Sequence, residues 1–250
     1  GGVRIQSFSI CEWLASWGFV VVAPDHTGNA LLVCLPDGVV ELNPDLTLIA
    51  YTQRKNDISF LISKLTELST FDPEEFFTGL IDPTKVGTFG HSFGGTVAVE
   101  AAKDDSRIQA AINMASFSFP WCDESFSAST IHMIALEDDT MYDAIFVMRW
   151  AYSVFPRPKF KMEFINAGHY TFSDSCILLP SLMGDGDGCG IGERHETGEE
   201  FEFIDHDLAM EIISSYAVAF FSYVLNGDDS FIEYLSQNGY PDELEYEFEF

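Results

Sequence analysis

The residues with the clearest potential for chemistry are Gly90-His91-Ser92-Phe93-Gly94-Gly95. This Gly-x-Ser-x-Gly pattern stands between a predicted strand, Lys85–Phe89, and a predicted helix of small residues, Gly94–Lys103, and such a setting is typical of a nucleophile elbow. The flanking glycines allow a turn tight enough to expose the serine side chain above a sheet. The following helix would point its N-terminus, and the Phe93 N–H, at the oxygen that becomes negative during acyl transfer. We therefore predict Ser92 as a nucleophile and Phe93 as an oxyanion donor.

A serine hydroxyl is a weak nucleophile unless a base takes its proton, and an orienting carboxylate must hold that base. Along chains with this elbow the order is serine, acid, histidine. His169 follows the predicted strand Phe160–Ile165 at its carboxyl end, where open α/β sheets bind their ligands, and it is the predicted base. The other histidines lie within the elbow, inside a predicted strand, in an early turn, or in or just after an acidic loop: His91, His132, His26, His195 and His206.

The acid is expected after the predicted strand Ile131–Leu136, where Glu137-Asp138-Asp139-Thr140 follows. Three consecutive carboxylates cannot all take part in catalysis, because a run of charges is usually a solvated edge. We predict Asp139 as the orienting acid, with Asp138 and then Glu137 as the alternatives.

The elements that must position these residues alternate between strand and helix, which predicts a mostly parallel sheet covered by helices on both faces, an α/β fold. Predicted helices with apolar stripes are Ile5–Trp17, Tyr51–Leu68, Gly94–Lys103 and Asp207–Leu225. Predicted apolar strands are Phe19–Ala23, Lys85–Phe89, Ile108–Asn113, Ile131–Leu136 and Phe160–Ile165. We expect one domain over residues 1–240. Residues 241–250 are expected to form an acidic tail, although Leu244–Phe250 alternates with the period of a half-buried strand.

The composition excludes a disordered chain, because 47% of the residues are hydrophobic and 14% aromatic. The formal net charge is −28. Such a surface repels phosphate backbones and anionic lipid, so we expect no nucleic-acid partner. Apolar runs such as Gly18–Pro24 and Ala217–Leu225 have the length of core elements, and no membrane insertion is predicted. The charge suits solubility in strong salt, and equally an acidic secreted protein.

The chain has five cysteines. Cys176 and Cys189 flank a Gly/Asp-rich loop and are close enough in sequence to form a disulfide across it. A disulfide predicts an oxidising compartment, extracellular or periplasmic, and the odd total leaves at least one thiol free. Within that loop Asp185-Gly186-Asp187-Gly188 lacks the full ligand pattern of a calcium loop. We therefore predict neither a metal nor a cofactor.

Four motifs together resemble a known family. They are Leu14-Ala15-Ser16-x-Gly18-Phe19-Val20-Val21, Pro24-Asp25-His26-x-Gly28-Asn29, Arg54-x-x-Asp57 and Gly90-His91-Ser92-x-Gly94-Gly95. They resemble the dienelactone-hydrolase-like branch of the α/β-hydrolases, which adjoins platelet-activating-factor acetylhydrolases and cutinase-type polyester hydrolases. The resemblance runs from Gly1 to about Leu235 and implies the α/β-hydrolase fold. Glu137–Thr140 resembles the cutinase-type strand end, where the aspartate before threonine is catalytic, and this supports Asp139.

The resemblance also implies what lies around the first residues. In the family a strand ends in the loop that donates the second oxyanion N–H, and that donor would fall about one residue before Gly1. The family's third strand lies between those that match Phe19–Ala23 and Lys85–Phe89. We therefore expect a fold without its first N-terminal strands, with these two segments about 10 Å apart, two strand spacings. Poor activity of the chain as written is also expected.

The sequence thus predicts a serine-dependent carboxylic ester hydrolase that forms an acyl-enzyme on a small-molecule or polymeric ester. Predicted substrate-binding residues are His91, Trp121 and Tyr170. True dienelactone hydrolases use a cysteine where this chain has Ser92, which argues against dienelactone as the substrate. A cutinase-type hydrolase of aryl polyesters is the alternative within enzymes. An alternative of another class is a catalytically silent binding relative that keeps the fold. The sequence does not predict an oligomeric state.

Overall fold

The computed structural model describes residues 2–43, 47–118 and 126–250. Helices and strands alternate over most of this part of the chain. The described helices are α1 (Phe8–Ser16), α2 (Thr47–Thr70), α3 (Phe93–Asp104), α4 (Ile145–Val154), α5 (Ser175–Leu178), α6 (Pro180–Met183), α7 (His206–Asn226) and α8 (Ile232–Leu235). The described strands are β1 (Leu32–Leu35), β2 (Gly38–Glu41), β3 (Val86–His91), β4 (Ile108–Met114), β5 (Ser129–Ala135), β6 (Lys159–Phe164), β7 (Ile191–Glu193), β8 (Glu200–Glu202) and β9 (Leu244–Glu249).

The main sheet has five strands in the order β3-β4-β5-β6-β9. The first four are parallel, and β9 is antiparallel to β6 at the edge. Parallel strands end at one edge of a sheet, so the loops after β3, β5 and β6 meet there. These loops carry Ser92, the run of three carboxylates and His169. The predicted mostly parallel sheet is confirmed.

Helices cover both faces of this sheet and produce two apolar cores. On one face α1 and α7 pack over alternate strand residues such as Ile112, Met133 and Met162. On the other face α2, α3 and α4 pack around a second cluster that includes Ala111 and Phe155. Because the central strands are buried on both sides, they are apolar along most of their length instead of alternating with period two.

Helix α7 is the main apolar helix of the first core. The Asp205 carboxylate accepts a hydrogen bond from Leu208 N at 3.1 Å and caps its start. Gly227, with φ +66°, ends it in the left-handed region. The helix is long and apolar enough to cross a membrane by length and composition alone, but 72% of the qualifying window is buried inside the protein. Burial of that extent is typical of the core helix of a globular domain.

The segment Phe19–Ala23 differs from its prediction as a strand. It has no ladder partner among the described residues, although Phe19 and Val21 pack on the first core. Phe19–Ala23 and β3 do not pair, and both line one cavity of about 710 Å³. Direct pairing of the two segments, which would have contradicted the expected separation, is therefore not found in the described part of the chain.

Several short elements were not predicted, among them the hairpin of β1 and β2 and helix α4. The hairpin of β1 and β2 is antiparallel and forms a small sheet of its own. Helix α4 lies in a stretch for which no element was predicted, and its buried side presents Met148, Ala151 and Tyr152 to the sheet. Helix α4 also keeps Phe146 and Trp150 exposed, so its apolar residues are not confined to the buried side.

Strand β9 corrects the expected acidic tail, because residues 244–249 pair with β6 in the main sheet. Leu244 and Tyr246 pack on the first core, and Leu244 is buried. Two of the three acidic residues of β9 form ion pairs with lysines of β6. Glu247 lies 2.8 Å from Lys161 Nζ, and Glu249 lies 3.2 Å from Lys159 Nζ. The period-two alternation is thus that of an edge strand with one charged face.

The carboxylate of Glu163 on β6 is the most buried member of this charged face, with 2% of its side chain exposed. It lies 2.5 Å from Arg149 Nη2 and 2.9 Å from Lys161 Nζ. Burial alone would raise the pKa of Glu163, but the hydrogen bonds and charges of Arg149 and Lys161 outweigh it and hold the pKa below its ordinary value. The ion pairs of Glu163 therefore stabilise the folded protein at pH values above the ordinary pKa of a carboxyl group. This stabilisation is lost as the pH falls through the lowered pKa of Glu163.

We predict that Glu163→Gln lowers the free energy of unfolding by about 2 kcal/mol near neutral pH, because hydrogen bonds to charged groups are lost. The difference from the unsubstituted protein should shrink in acid, where Glu163 itself becomes protonated. Urea unfolding at about pH 7 and about pH 3.5 measures both values. The matched control is Glu245→Gln, which changes an exposed glutamate directly opposite on β9 and should cost little. An equal loss in the two variants would refute this role for Glu163.

Candidate active site

Ser92 lies in the sharp turn between β3 and α3. Its φ of +56° and ψ of −130° are rare for a residue with a side chain. The turn brings the chain so close to itself that a Cβ on Gly90 would overlap the backbone of Gly94. The main-chain N–H of Ser92 donates to Met114 O at 2.8 Å and ties the turn to β4. This geometry is that of the predicted elbow.

His169 lies just after β6, in a 3-10 turn that runs from His169 to Phe172. Its Nε2 is 2.9 Å from Ser92 Oγ, across 77 residues of sequence. The ring is nearly inaccessible to solvent. The described structure therefore brings together the two residues that were predicted as nucleophile and base.

The prediction of Asp139 as the orienting acid is wrong, because Asp138 occupies that place. Asp138 Oδ2 lies 3.0 Å from His169 Nδ1, and the carboxylate is 1% exposed. Its other oxygen accepts a hydrogen bond from Met141 N at 2.7 Å, which holds the carboxylate in place. Successive side chains after a strand point in different directions, so a shift of one residue turns the neighbouring carboxylate away from the ring.

The two remaining carboxylates of the run bind the hairpin of β7 and β8 instead. Glu137 accepts hydrogen bonds from Arg194 NH1 at 3.0 Å and from His195 N at 3.1 Å. Asp139, whose side chain is 59% exposed, forms an ion pair of 3.1 Å with His195 Nε2. Burial and the neighbouring charge of Asp187 raise the pKa of Asp139. Glu137 and Asp139 thus both contact His195, and of the three acidic residues only Asp138 contacts His169.

His91, which was predicted to bind substrate, is largely buried, lines the cavity beside Ser92 and contacts the base through a hydrogen bond. Its Nε2 lies 2.8 Å from the carbonyl oxygen of His169, so this nitrogen carries the proton. Its Nδ1 then accepts from the Gln6 amide at 3.2 Å. Desolvation, and next the charge of His169, lower the pKa of His91 to about 3, so the ring stays neutral. A contact with substrate is not required to explain any of its polar atoms.

The large cavity next to the first core reaches the nucleophile. Ser92, Phe93, His169 and Tyr170 line it. Tyr170 therefore lies where substrate binding was predicted, whereas Trp121 falls outside the described residues.

Phe93 begins α3, and the first N–H groups of a helix have no partner within it. Its N–H is thus available to a negatively charged oxygen near Ser92, as predicted for the oxyanion donor.

The predicted disulfide between Cys176 and Cys189 is confirmed, with a Cα–Cα distance of 5.6 Å. It closes the Gly/Asp-rich loop that follows His169. Within that loop the Asp187 carboxylate accepts hydrogen bonds from the chain itself, including the N–H of His169 at 2.8 Å. No group of three or more histidine, cysteine or acidic residues suited to a metal ion occurs among the described residues.

Two residues that support this site were missed from the sequence, Gln6 and Asp187. Both act through hydrogen bonds to residues that are distant in sequence, 85 positions for Gln6 and His91 and 18 for Asp187 and His169. The Asp-Gly pairs of the loop predicted a turn, but a turn signal does not say which other loops its side chain will reach.

The parallel sheet, the elbow and the contacts of serine, histidine and aspartate are those of the α/β-hydrolase fold. The sequence profile of the family described as platelet-activating factor acetylhydrolase, isoform II, matches residues 62–237. Since this is more than half of the chain, the protein belongs to that family. The matched stretch contains the elbow, the run of three carboxylates and His169.

A solved structure supports the same fold. The chain is similar to a ferulic acid esterase from Streptomyces cinnamoneus, with a TM-score of 0.70 and 25% sequence identity. The similarity covers 91% of this chain and 65% of that esterase, so the chain spans less than two thirds of the length of that relative. The predicted fold class and the resemblance to platelet-activating-factor acetylhydrolases are confirmed.

The two neighbouring aspartates give a direct test of the site. We predict that Asp138→Asn lowers kcat for a p-nitrophenyl ester by about 10⁴-fold, because an amide holds the imidazole in the wrong tautomer. Asp139→Asn removes only an exposed ion pair and should change kcat by less than about threefold. Initial rates at saturating ester measure both. A larger loss of kcat in the Asp139 variant than in the Asp138 variant would support Asp139 as the orienting acid.

Proposed function

We propose that this protein is a serine-dependent carboxylic ester hydrolase with Ser92, Asp138 and His169 as its triad. The observation that carries the proposal is the continuous chain of hydrogen bonds from Ser92 Oγ to His169, 2.9 Å, and from His169 to Asp138, 3.0 Å. Membership of an acetylhydrolase family supports ester cleavage as the reaction. A silent binding relative would not need a nucleophile in strained backbone geometry with an aligned base.

In the proposed reaction Ser92 Oγ attacks the ester carbonyl carbon while its proton moves to His169 Nε2. The carbonyl oxygen takes up the negative charge and accepts a hydrogen bond from the Phe93 N–H. The bond to the alcohol oxygen then breaks, and His169 returns the proton to the leaving alcohol. Water repeats the sequence on the acyl-serine and releases the acid. Asp138 stabilises the imidazolium that exists between these transfers and keeps its ring oriented.

The proposed substrates are esters whose acyl group is apolar or aromatic. The walls of the cavity beside Ser92 support this class, because they include Phe93 and Tyr170 together with aliphatic residues of β3 and α2. Phe93 is 39% exposed, so an acyl group at the nucleophile could contact its ring. The similar esterase, by its description, acts on an ester of an aromatic acid. Cleavage of aryl polyesters of the cutinase type is a second candidate that the same aromatic walls favour.

We further propose that the protein works in an oxidising compartment, outside the cell or in a periplasm. The disulfide between Cys176 and Cys189 supports this, because such bonds persist where thiols are not kept reduced. The excess of acidic residues is compatible with either location.

Active-site labelling separates an enzyme from a silent relative. We predict that a fluorophosphonate attaches covalently to Ser92, since only a serine activated by a base reacts at a useful rate. Ser92→Ala should remove labelling and lower kcat by about 10⁴–10⁶-fold, with an unchanged circular dichroism spectrum. Intact-mass spectrometry counts the labelled fraction. No labelling of the unsubstituted protein would refute the proposed function.

The substrate class can be tested with matched esters of one alcohol. We predict that kcat/KM for a p-nitrophenyl ester of an aromatic acid is at least about tenfold that of the acetate, because ring contacts contribute about 1–2 kcal/mol. Phe93→Ala should reduce this preference while leaving the acetate rate within about threefold. Release of soluble acids from a polyester fragment tests the second candidate. A preference for acetate that Phe93→Ala leaves unchanged would contradict the aromatic subsite.

A further inference from the structure

We infer that Asp187 is a positioning residue that fixes the loop of the base against the loop of the acid. The inference rests on the proposed function and names a residue that acts through His169 and Asp138 without contacting substrate. It comes from the juxtaposition of one half-buried carboxylate with the backbones of both loops.

The hydrogen bonds of Asp187 join the loops that follow β5 and β6, beyond the last backbone bond between these segments, from Glu137 N to Ala167 O at 2.9 Å. Its Oδ1 accepts from His169 N at 2.8 Å and from Asp139 N at 2.9 Å. Its Oδ2 accepts from Thr140 Oγ1 at 2.8 Å. A single oxygen is thus shared by the backbone of the base and by the residue that follows the acid. This oxygen therefore ties the two loops together at His169 itself, past the end of the ladder between β5 and β6.

The turn that carries Asp187 is held on its own side by the disulfide loop. Asp187 and Gly188 have φ of +47° and +109°, as at the two central positions of a tight hairpin turn, where Asp-Gly is favoured. Gly186 and Cys189 exchange backbone hydrogen bonds of 2.7 and 3.1 Å across the turn. Cys189 is in turn bonded to Cys176. The Asp187 carboxylate therefore extends from a turn whose conformation is fixed by its own hydrogen bonds and by the disulfide.

The backbone of the histidine loop fits against this turn without a gap. Asp187 O accepts from Tyr170 N at 2.8 Å, next to the side-chain contact with His169 N. A Cβ on Gly168 would overlap the backbone of Asp187 and Gly188, so only glycine allows this approach. The turn thus holds the histidine loop through both side chain and main chain.

Charge is not what Asp187 contributes. Its carboxylate lies near that of Asp139, and this proximity helps to raise the pKa of Asp139, which is an unfavourable interaction. The benefit is instead the number of acceptors, since one side chain satisfies two N–H groups and a hydroxyl. A displacement of about 1 Å between reacting groups can cost about 100-fold in rate. Loss of these acceptors should therefore affect turnover more than binding.

The test compares Asp187→Ala, Asp187→Asn and a control, Asp185→Asn, in the full chain. An asparagine at 187 keeps one oxygen for both N–H groups, and its amide can donate to the Thr140 hydroxyl. We expect Asp187→Ala to lower kcat by about 10–100-fold with KM within about threefold, and Asp187→Asn to recover kcat to within about fivefold. Asp185 is exposed in the same loop, and its variant should match the unsubstituted protein.

Rates are expressed per active site, counted by fluorophosphonate labelling taken to completion, so that loss of folded protein does not pass for loss of turnover. The inference is overturned if Asp187→Ala keeps kcat within about threefold, if its effect falls on KM alone, or if Asp185→Asn loses as much. Failure of the proposed function is a different result. In that case the unsubstituted protein itself is neither labelled nor active.

Discussion

The backbone conformation of Ser92 is the constraint on which the rest of the site depends. A residue with a side chain at φ +56° and ψ −130° is strained by about 1–3 kcal/mol. The strain persists because β3 and α3 are both fixed by the sheet and its cores, and because Gly90 allows the close approach of the chain to itself. In return the hydroxyl stands above the carboxyl edge of the sheet, next to the first N–H groups of α3. Every other functional side chain must reach this one point.

The parts of the site that local sequence determines could be predicted. Ser92 follows from its glycines and from the strand and helix around it. His169 follows from chain order and from its place after an apolar strand. The choice between Asp138 and Asp139 could not be made in the same way. It depends on the direction of each side chain in a loop whose geometry is set by Asp187 and by the β7–β8 hairpin, and those contacts are long-range. The same limit applies to His91, whose Nδ1 is hydrogen-bonded to Gln6, 85 positions away in the sequence.

The helices and strands, too, could be predicted where the local sequence determines them, but not where distant contacts do. The central strands and α7 have long apolar patterns and were predicted within a few residues of their observed ends. β9 was ambiguous, because its acidic residues read as a solvated tail until the cations of β6 are known to face them. Phe19–Ala23 has the composition of a buried strand but no ladder partner among the described residues. Its apolar residues are explained by the first core, which Phe19 and Val21 contact on one side. The pattern does not indicate a neighbouring strand.

The base of the site is held at four separate points. The Nε2 of His169 meets Ser92 Oγ and its Nδ1 meets Asp138. Its backbone N–H donates to Asp187, and its carbonyl oxygen accepts from His91. Because these partners come from the elbow, the acid loop and the disulfide loop, the imidazole can reorient only if one of those segments moves. A ring fixed in this way before substrate binds needs little reorganisation when charge develops. The buried, neutral His91 contributes in the same way. Without its N–H donor, the buried carbonyl oxygen of His169 would need a hydrogen bond from water.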